Sequence, residues 1–96
     1  MGIVYSITYH EQVVSEDIPT ISTTWKEKIR NAIGTKLSTR PEVFGIPLRN
    51  TLKEYRKLRV GDYRVIFRVE SKTIKILAIG HRSNIYTISN KRIKGT

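Results

Sequence analysis

Polar and apolar residues alternate near the start of the chain, in the run Ile3-Val4-Tyr5-Ser6-Ile7-Thr8-Tyr9. Ile3, Tyr5, Ile7 and Tyr9 share one side of a pleated backbone, so the pattern predicts a strand. Residues 11–17 fit a short helix that stops before Pro19. The period then lengthens. Ile21, Trp25, Ile29, Ala32, Ile33 and Leu37 recur at three- and four-residue spacing and form one helical stripe, with Lys26, Arg30 and Lys36 on the opposite face. This helix begins between Pro19 and Thr24, where Thr24 and Glu27 have the spacing of a capping box.

Residues 38–50 form a connection punctuated by Pro41, Gly45 and Pro47. Three strands follow in close order: Tyr55 to Val60, a Gly61-Asp62 turn, Tyr63 to Val69, a second turn around Ser71-Lys72, and Ile74 to Gly80. These turns predict the register. Val60 faces Tyr63, Leu58 faces Val65, Arg56 faces Phe67, Val69 faces Ile74, Phe67 faces Ile76, and Val65 faces Ala78. Side chains alternate across a strand. One face therefore carries Leu58, Val60, Tyr63, Val65, Phe67, Val69, Ile74, Ile76 and Ala78, the surface for the helical stripe. The other carries Tyr55, Lys57, Arg59, Arg64, Ile66, Arg68, Lys75, Leu77 and Ile79. The tail from Ser83 is polar and basic, with Tyr86, Ile88 and Ile93 as anchors and no clear amphipathic helix. The expected fold is α+β in one domain spanning residues 1–96. Its antiparallel sheet, the N-terminal strand plus a three-stranded meander, has two helices packed on one face.

Charge sharpens this picture. The chain holds 18 Lys and Arg against 8 Asp and Glu, a net charge of +10. Residues 1–48 are balanced, so the whole excess lies in residues 49–96, the half that forms the meander and tail. A polyanion is the natural partner of such a half. On the predicted second face Arg59 opposes Arg64 and Arg68 opposes Lys75. Like charges directly across a ladder are unfavourable by up to ~1 kcal/mol. A bound phosphate would offset that, because arginine presents a planar fork to its oxygens. The alternative is that the long side chains splay into water at little cost.

Other chemistries have little to work with. There is no cysteine, hence no disulfide framework or zinc–thiolate site. The two histidines, His10 and His81, lie far apart, so neither a metal site nor a cofactor is expected. No apolar run approaches the roughly 20 residues of a membrane span. A soluble cytoplasmic protein is the expectation. RNA cleavage, by contrast, needs only the residue types on this face. The 2′-hydroxyl can attack the adjacent phosphate if a base takes its proton, cations stabilise the phosphorane, and an acid protonates the leaving 5′-oxygen. Lys57, Arg64, His81, Arg82 and Tyr86 are the candidates for these roles. Tyr55, Arg56, Arg59, Arg68 and Lys75 are candidates for further RNA contact.

The segment Leu58-Arg59-Val60-Gly61-Asp62-Tyr63-Arg64, with Gly80-His81-Arg82 and then Tyr86, resembles the RelE/ParE toxin superfamily, over about residues 3–88. RelE-type members cleave messenger RNA in the ribosomal A site. The resemblance implies a cytoplasmic toxin without cofactor or membrane association. It would be monomeric when free, hetero-oligomeric with a RelB-like antitoxin, and in contact with ribosomal RNA when acting. By position, Lys57 resembles the lysine that stabilises charge or transfers a proton, Arg64 the arginine that holds the scissile phosphate, and Arg82 the arginine that stabilises the transition state. Tyr86 resembles the tyrosine that stacks on the nucleotide, and His81 stands where some members have a basic residue and could serve as acid or base. Tyr55 departs from the pattern, standing where some members carry a second lysine. ParE-type relatives share the fold but poison DNA gyrase without cutting RNA, and a non-toxic module binding an acidic partner is a further alternative. Ile66, Leu77 and Ile79 on the basic face need cover, from the C-terminal segment or from an antitoxin helix.

Overall fold

The computed structural model describes residues 4–95, so the expected place of Ile3 in the first strand lies outside the described residues. Strand β1 is Ser6–Tyr9. A widened helical turn, Val13–Asp17, passes into a tight one, Ile18–Thr20. Pro19 sits inside this tight turn rather than beyond the helix, which is tolerated because the first turn of a helix has no use for its missing N–H. Helix α1, Thr23–Ala32, continues as a widened turn to Leu37. Its cap is Ser22, whose Oγ accepts from Trp25 N at 3.4 Å, and not the Thr24–Glu27 box. Helix α2 is Pro41–Phe44, and strand β2, Ile46–Pro47, follows within the segment expected to be a plain connection. Strands β3 (Arg56–Val60), β4 (Tyr63–Glu70) and β5 (Thr73–His81) form the meander. Helix α3, Ile85–Gly95, closes the chain.

The sheet order is β1-β5-β4-β3-β2. The α+β architecture is as expected, with two differences in the sheet. β1 joins β5 in parallel, which the long intervening chain of helices and strands β2–β4 permits. β2 adds a fifth strand, antiparallel to β3. The β3–β4 register is as expected throughout. Gly61 makes that hairpin possible twice over. Its φ is +59°, and a Cβ there would lie 2.4 Å from Trp25 Cη2, so the turn and the helix packing both demand glycine.

The β4–β5 register matches at Val69–Ile74 and Phe67–Ile76, then slips. Ile66 pairs with Ala78 and Val65 with Ile79, leaving Leu77 as a bulge. The extra residue inverts the side-chain phase beyond it. Ile79 therefore joins the main core, not the basic face, and Ala78 crosses to the second face, both contrary to the simple alternation. In the main core the stripe Ile21, Ile29, Ile33 and Leu37 packs on Leu58, Val65, Phe67 and Ile76. On the second face, Ile66, Leu77 and Ala78 are covered by Ile85 of α3. The tail is thus a packed helix, and the helices occupy both faces of the sheet.

One buried ion pair holds this arrangement. β1 ends its pairing at Ile76, so the bulged edge of β5 has no strand beside it. Asp17 fills the gap. Its Oδ2 accepts from Ile79 N at 2.8 Å, and both carboxylate oxygens accept from the Arg92 guanidinium at 2.6 Å. Arg92 also donates to Leu77 O at 3.0 Å. Each side chain is 5% exposed. Asp17→Ala should cost about 3–5 kcal/mol, because it strands a buried guanidinium and orphans a backbone donor. Denaturant midpoints compared with wild type test this. An apolar double replacement of Asp17 and Arg92 should not restore stability, since Leu77 O and Ile79 N would stay unpaired.

Candidate active site

Alternation along β3 puts Tyr55, Lys57 and Arg59 on the face that α3 covers, and pairing across the ladder brings Arg64, Ile66 and Arg68 to the same side. Lys57 opposes Ile66, and Arg59 opposes Arg64, the adjacent rungs of one row. Helix α3 delivers Tyr86 onto this row. Lys57 Nζ donates to Tyr86 Oη at 3.2 Å and lies 5.8 Å from the ring centroid. The ammonium occupies a lone pair of the phenol oxygen and leaves its O–H free to donate elsewhere.

The hairpin tip gathers the remaining cations. Arg64 Nη1 donates to Gly61 O at 2.8 Å and to Tyr63 O at 2.9 Å. These bonds fix the fork by one nitrogen and leave Nε and Nη2 for an anion. The Arg82 backbone N donates to Asp62 O at 2.8 Å, and its Nε lies 3.4 Å from Asp62 Oδ1. Arg59 is exposed and has no carboxylate partner among the described residues. Lys57, Arg59, Arg64 and Tyr86 therefore share one side of the sheet, and Arg82 is tied to the turn at the end of that row. The arrangement combines an anion site with a hydrogen-bonded Lys–Tyr pair able to move a proton.

The family described as the ParE toxin of type II toxin–antitoxin systems matches residues 11–86. The chain belongs to this family. Solved structures of like fold include the toxin–antitoxin complex RelBE2 from Mycobacterium tuberculosis, 24% identical over 84% of this chain and 94% of that one, with a TM-score of 0.77. A variant of the toxin RelE from E. coli in the free state is 20% identical over 94% of this chain and 98% of that one, with a TM-score of 0.65. The E. coli DinJ–YafQ toxin–antitoxin complex is 18% identical over 84% and 96%, with a TM-score of 0.56. No curated protein matches the chain significantly. These likenesses carry the fold; the family makes the chain a toxin of a type II toxin–antitoxin system.

The toxin's other candidates are placed elsewhere. Tyr55, Arg68 and Lys75 lie on the same face at the far end of the sheet, lining a groove of about 450 Å³ with Thr8, His10 and Leu77. The Arg68–Lys75 rung forms as expected, yet its compensating anion is internal. Glu70 pairs with Arg68 and accepts from Lys75 Nζ at 3.1 Å. Arg56 does not join the face. It shares the side of Leu58, and its Nη1 donates to Gly45 O at 2.9 Å, tying the connection before β2 to the sheet. His81 is also diverted. It pairs with Tyr63 across the ladder, on the α1 side, and their ring centroids are 5.9 Å apart. The bulge at Leu77 sets this phase and turns His81 away from Lys57.

Asp62 and Glu70 are the partners that charge counting missed. Glu70 stands two residues from Arg68, a spacing that could have found it, whereas Asp62 in the β3–β4 turn meets Arg82 only through the fold. A hydrogen bond from Lys75, then the charges of Lys75 and Arg68, hold the Glu70 carboxyl below the ordinary glutamate range. A depressed folded pKa favours the folded state above the unfolded pKa, and this contribution is lost as pH falls through the folded value. Carbon-detected titration should place the Glu70 midpoint below that of an unstructured glutamate, and Lys75→Gln should raise it.

Proposed function

We propose that this toxin is an endoribonuclease that cuts messenger RNA in the ribosomal A site and is silenced by a cognate antitoxin. The observation that supports the reading is the row of Lys57, Arg64 and Tyr86 on one side of the sheet, with Arg82 held at the adjoining turn by Asp62. The resemblance of Leu58–Arg64, Gly80–Arg82 and Tyr86 to RelE-type toxins supports it. In this reading a phosphodiester lies along the row. Arg64 grips non-bridging oxygens through its free nitrogens, and Arg82 stabilises the charge of the phosphorane. The 2′-oxygen bonds to phosphorus as its proton departs, the bond to the 5′-oxygen breaks, and that oxygen takes up a proton. The products are a 2′,3′-cyclic phosphate and a 5′-hydroxyl. Lys57 and Tyr86 form the pair placed for proton movement and for orienting the nucleotide.

The residues on this face favour a route without a resident metal, since its cations are arginine and lysine. Among the described residues there is no cluster of three or more His, Cys, Asp or Glu able to hold an ion. No helix among them is long and apolar enough to cross a membrane. The RelBE2 and DinJ–YafQ structures are toxin–antitoxin complexes, which supports an antitoxin as this toxin's partner. The matched family is described by its ParE toxin, and that favours a second reading in which the same basic face engages DNA gyrase without cutting RNA.

Primer extension on messenger RNA after induced expression separates the two. The nuclease reading expects new 5′ ends within codons. Arg64→Ala and Arg82→Ala should each lower cleavage by about 10²–10³-fold, the cost of removing one donor to a developing anion. Translation arrest or DNA damage with intact messenger RNA in the wild type would overturn it.

A further inference from the structure

His81 is exposed, sits beside Arg82 and has no place in the row formed by Lys57, Arg64 and Tyr86. Its surroundings are nonetheless built. Trp25 lies 5.3 Å from Tyr63, and Tyr63 meets the imidazole edge to face at 82°. The other side of the ring's anchorage is Ser83, whose backbone N–H donates to His81 Nδ1 at 3.2 Å and whose Oγ lies 2.8 Å from the same atom. A backbone N–H can only donate, so Nδ1 accepts and the proton of the neutral ring resides on Nε2. The Nδ1 lone pair is thus engaged by Ser83 and Nε2 is left as the donor. Ser83 and Tyr63 hold the ring before any ligand arrives, and the residue is exposed to solvent.

We propose that His81 is a nucleobase contact and not a proton-transfer group: it offers its exposed ring and its Nε2–H to a base of the RNA whose phosphate lies at Arg82. His81 and Arg82 are consecutive at the end of β5: the imidazole meets Tyr63, and the guanidinium lies against Asp62 of the hairpin turn. A strand passing over the tip would place phosphate on the arginine side and a base on the aromatic side. Stacking of a base on an aromatic ring is sequence-tolerant and worth about 1–3 kcal/mol. The Nε2–H adds discrimination, because it can reach only an acceptor on the base edge. Fixing the ring beforehand removes the entropy that a free side chain would lose on binding. This rests on RNA being the substrate, as proposed above.

The test uses ribosomes programmed with an empty A site, once with ordinary messenger RNA and once with the codon 2′-O-methylated so that it binds without being cut. Against the methylated codon, His81→Ala should weaken Kd about tenfold, and His81→Phe, which keeps the ring, should restore most of the loss. Against the ordinary codon, His81→Ala should raise KM by a similar factor at unchanged kcat. Long-range nitrogen–proton correlation spectra should report the Nε2–H tautomer, and Ser83→Ala should mix it with the other. Unaltered Kd in His81→Ala would overturn the proposal, as would an equal hundredfold fall of kcat in both His81 variants. Ribosome binding that depends on His81 without any cleavage by the wild type would retain the proposal and reject the nuclease reading.

Discussion

The bidentate bond between Asp17 and Arg92 is the constraint on which the rest of this toxin's structure depends. β5 is nine residues long, but its parallel partner β1 accompanies it only to Ile76. The exposed edge beyond carries Leu77 O and Ile79 N, buried backbone groups that would each cost about 1–3 kcal/mol if left unpaired. A carboxylate from the N-terminal turn and a guanidinium from the C-terminal helix stand in for the missing strand. A buried ion pair alone offers weak net stability, because desolvation offsets the attraction. Here the pair also satisfies the ladder, so its removal has no apolar substitute. It reaches the active face through geometry. Arg92 is six residues from Tyr86 on α3, about 9 Å along the axis, so the anchor at one end fixes where the phenol meets Lys57 at the other.

The two like-charged rungs of the meander show how the same local problem is solved in two ways. Arg68 and Lys75 share the carboxylate of Glu70, and Glu54 stands 3.8 Å from Arg68. That end of the face is close to neutral and has little need of a ligand. Among the described residues Arg64 bonds two backbone carbonyls and Arg59 has no carboxylate partner, with Asp62 engaged by Arg82. The uncompensated charge of the sheet is therefore concentrated at the hairpin tip. An anion binds where internal carboxylates are lacking, so the tip and not the whole basic face is the natural phosphate site. A phosphate would relieve the repulsion of Arg59 and Arg64, whereas Glu70 and Glu54 already balance Arg68 and Lys75.

Much of this was legible in the chain because hairpins are local. A two-residue turn fixes the β3–β4 register, and the alternation then fixes which side chains share a face. The bulge was not legible, since nothing in the run Ile76-Leu77-Ala78-Ile79 distinguishes continuous alternation from one inserted residue. That single slip moved Ile79 into the core and His81 off the basic side. Helix α3 was hidden by the chemistry of its own buried stripe. Ile85, Ser89 and Arg92 face inward, and two of the three read as polar. Ser89 is buried because its hydroxyl bonds Ile85 O at 2.8 Å, and Arg92 because Asp17 awaits it 75 residues away in sequence. A hydropathy period cannot register a partner at that distance. β2 was missed for the opposite reason, being too short to show a period and resting on pairing with β3 alone.

The face that results is open. Its cations and phenol lie on one side only, and no lid closes over them among the described elements. Such a surface can stabilise charge but does little to hold a flexible RNA chain in line for attack. Orientation supplies a large part of the barrier reduction in reactions of this type, worth about 7–11 kcal/mol when it is complete. If the surface itself does not impose it, the substrate must arrive already extended and fixed. Under the proposed function, a codon held in a ribosomal A site would be such a substrate, and free RNA would not. The openness of the site and a dependence on a delivered strand would then be one property: a catalyst that must fit against a large assembly has no room for walls of its own.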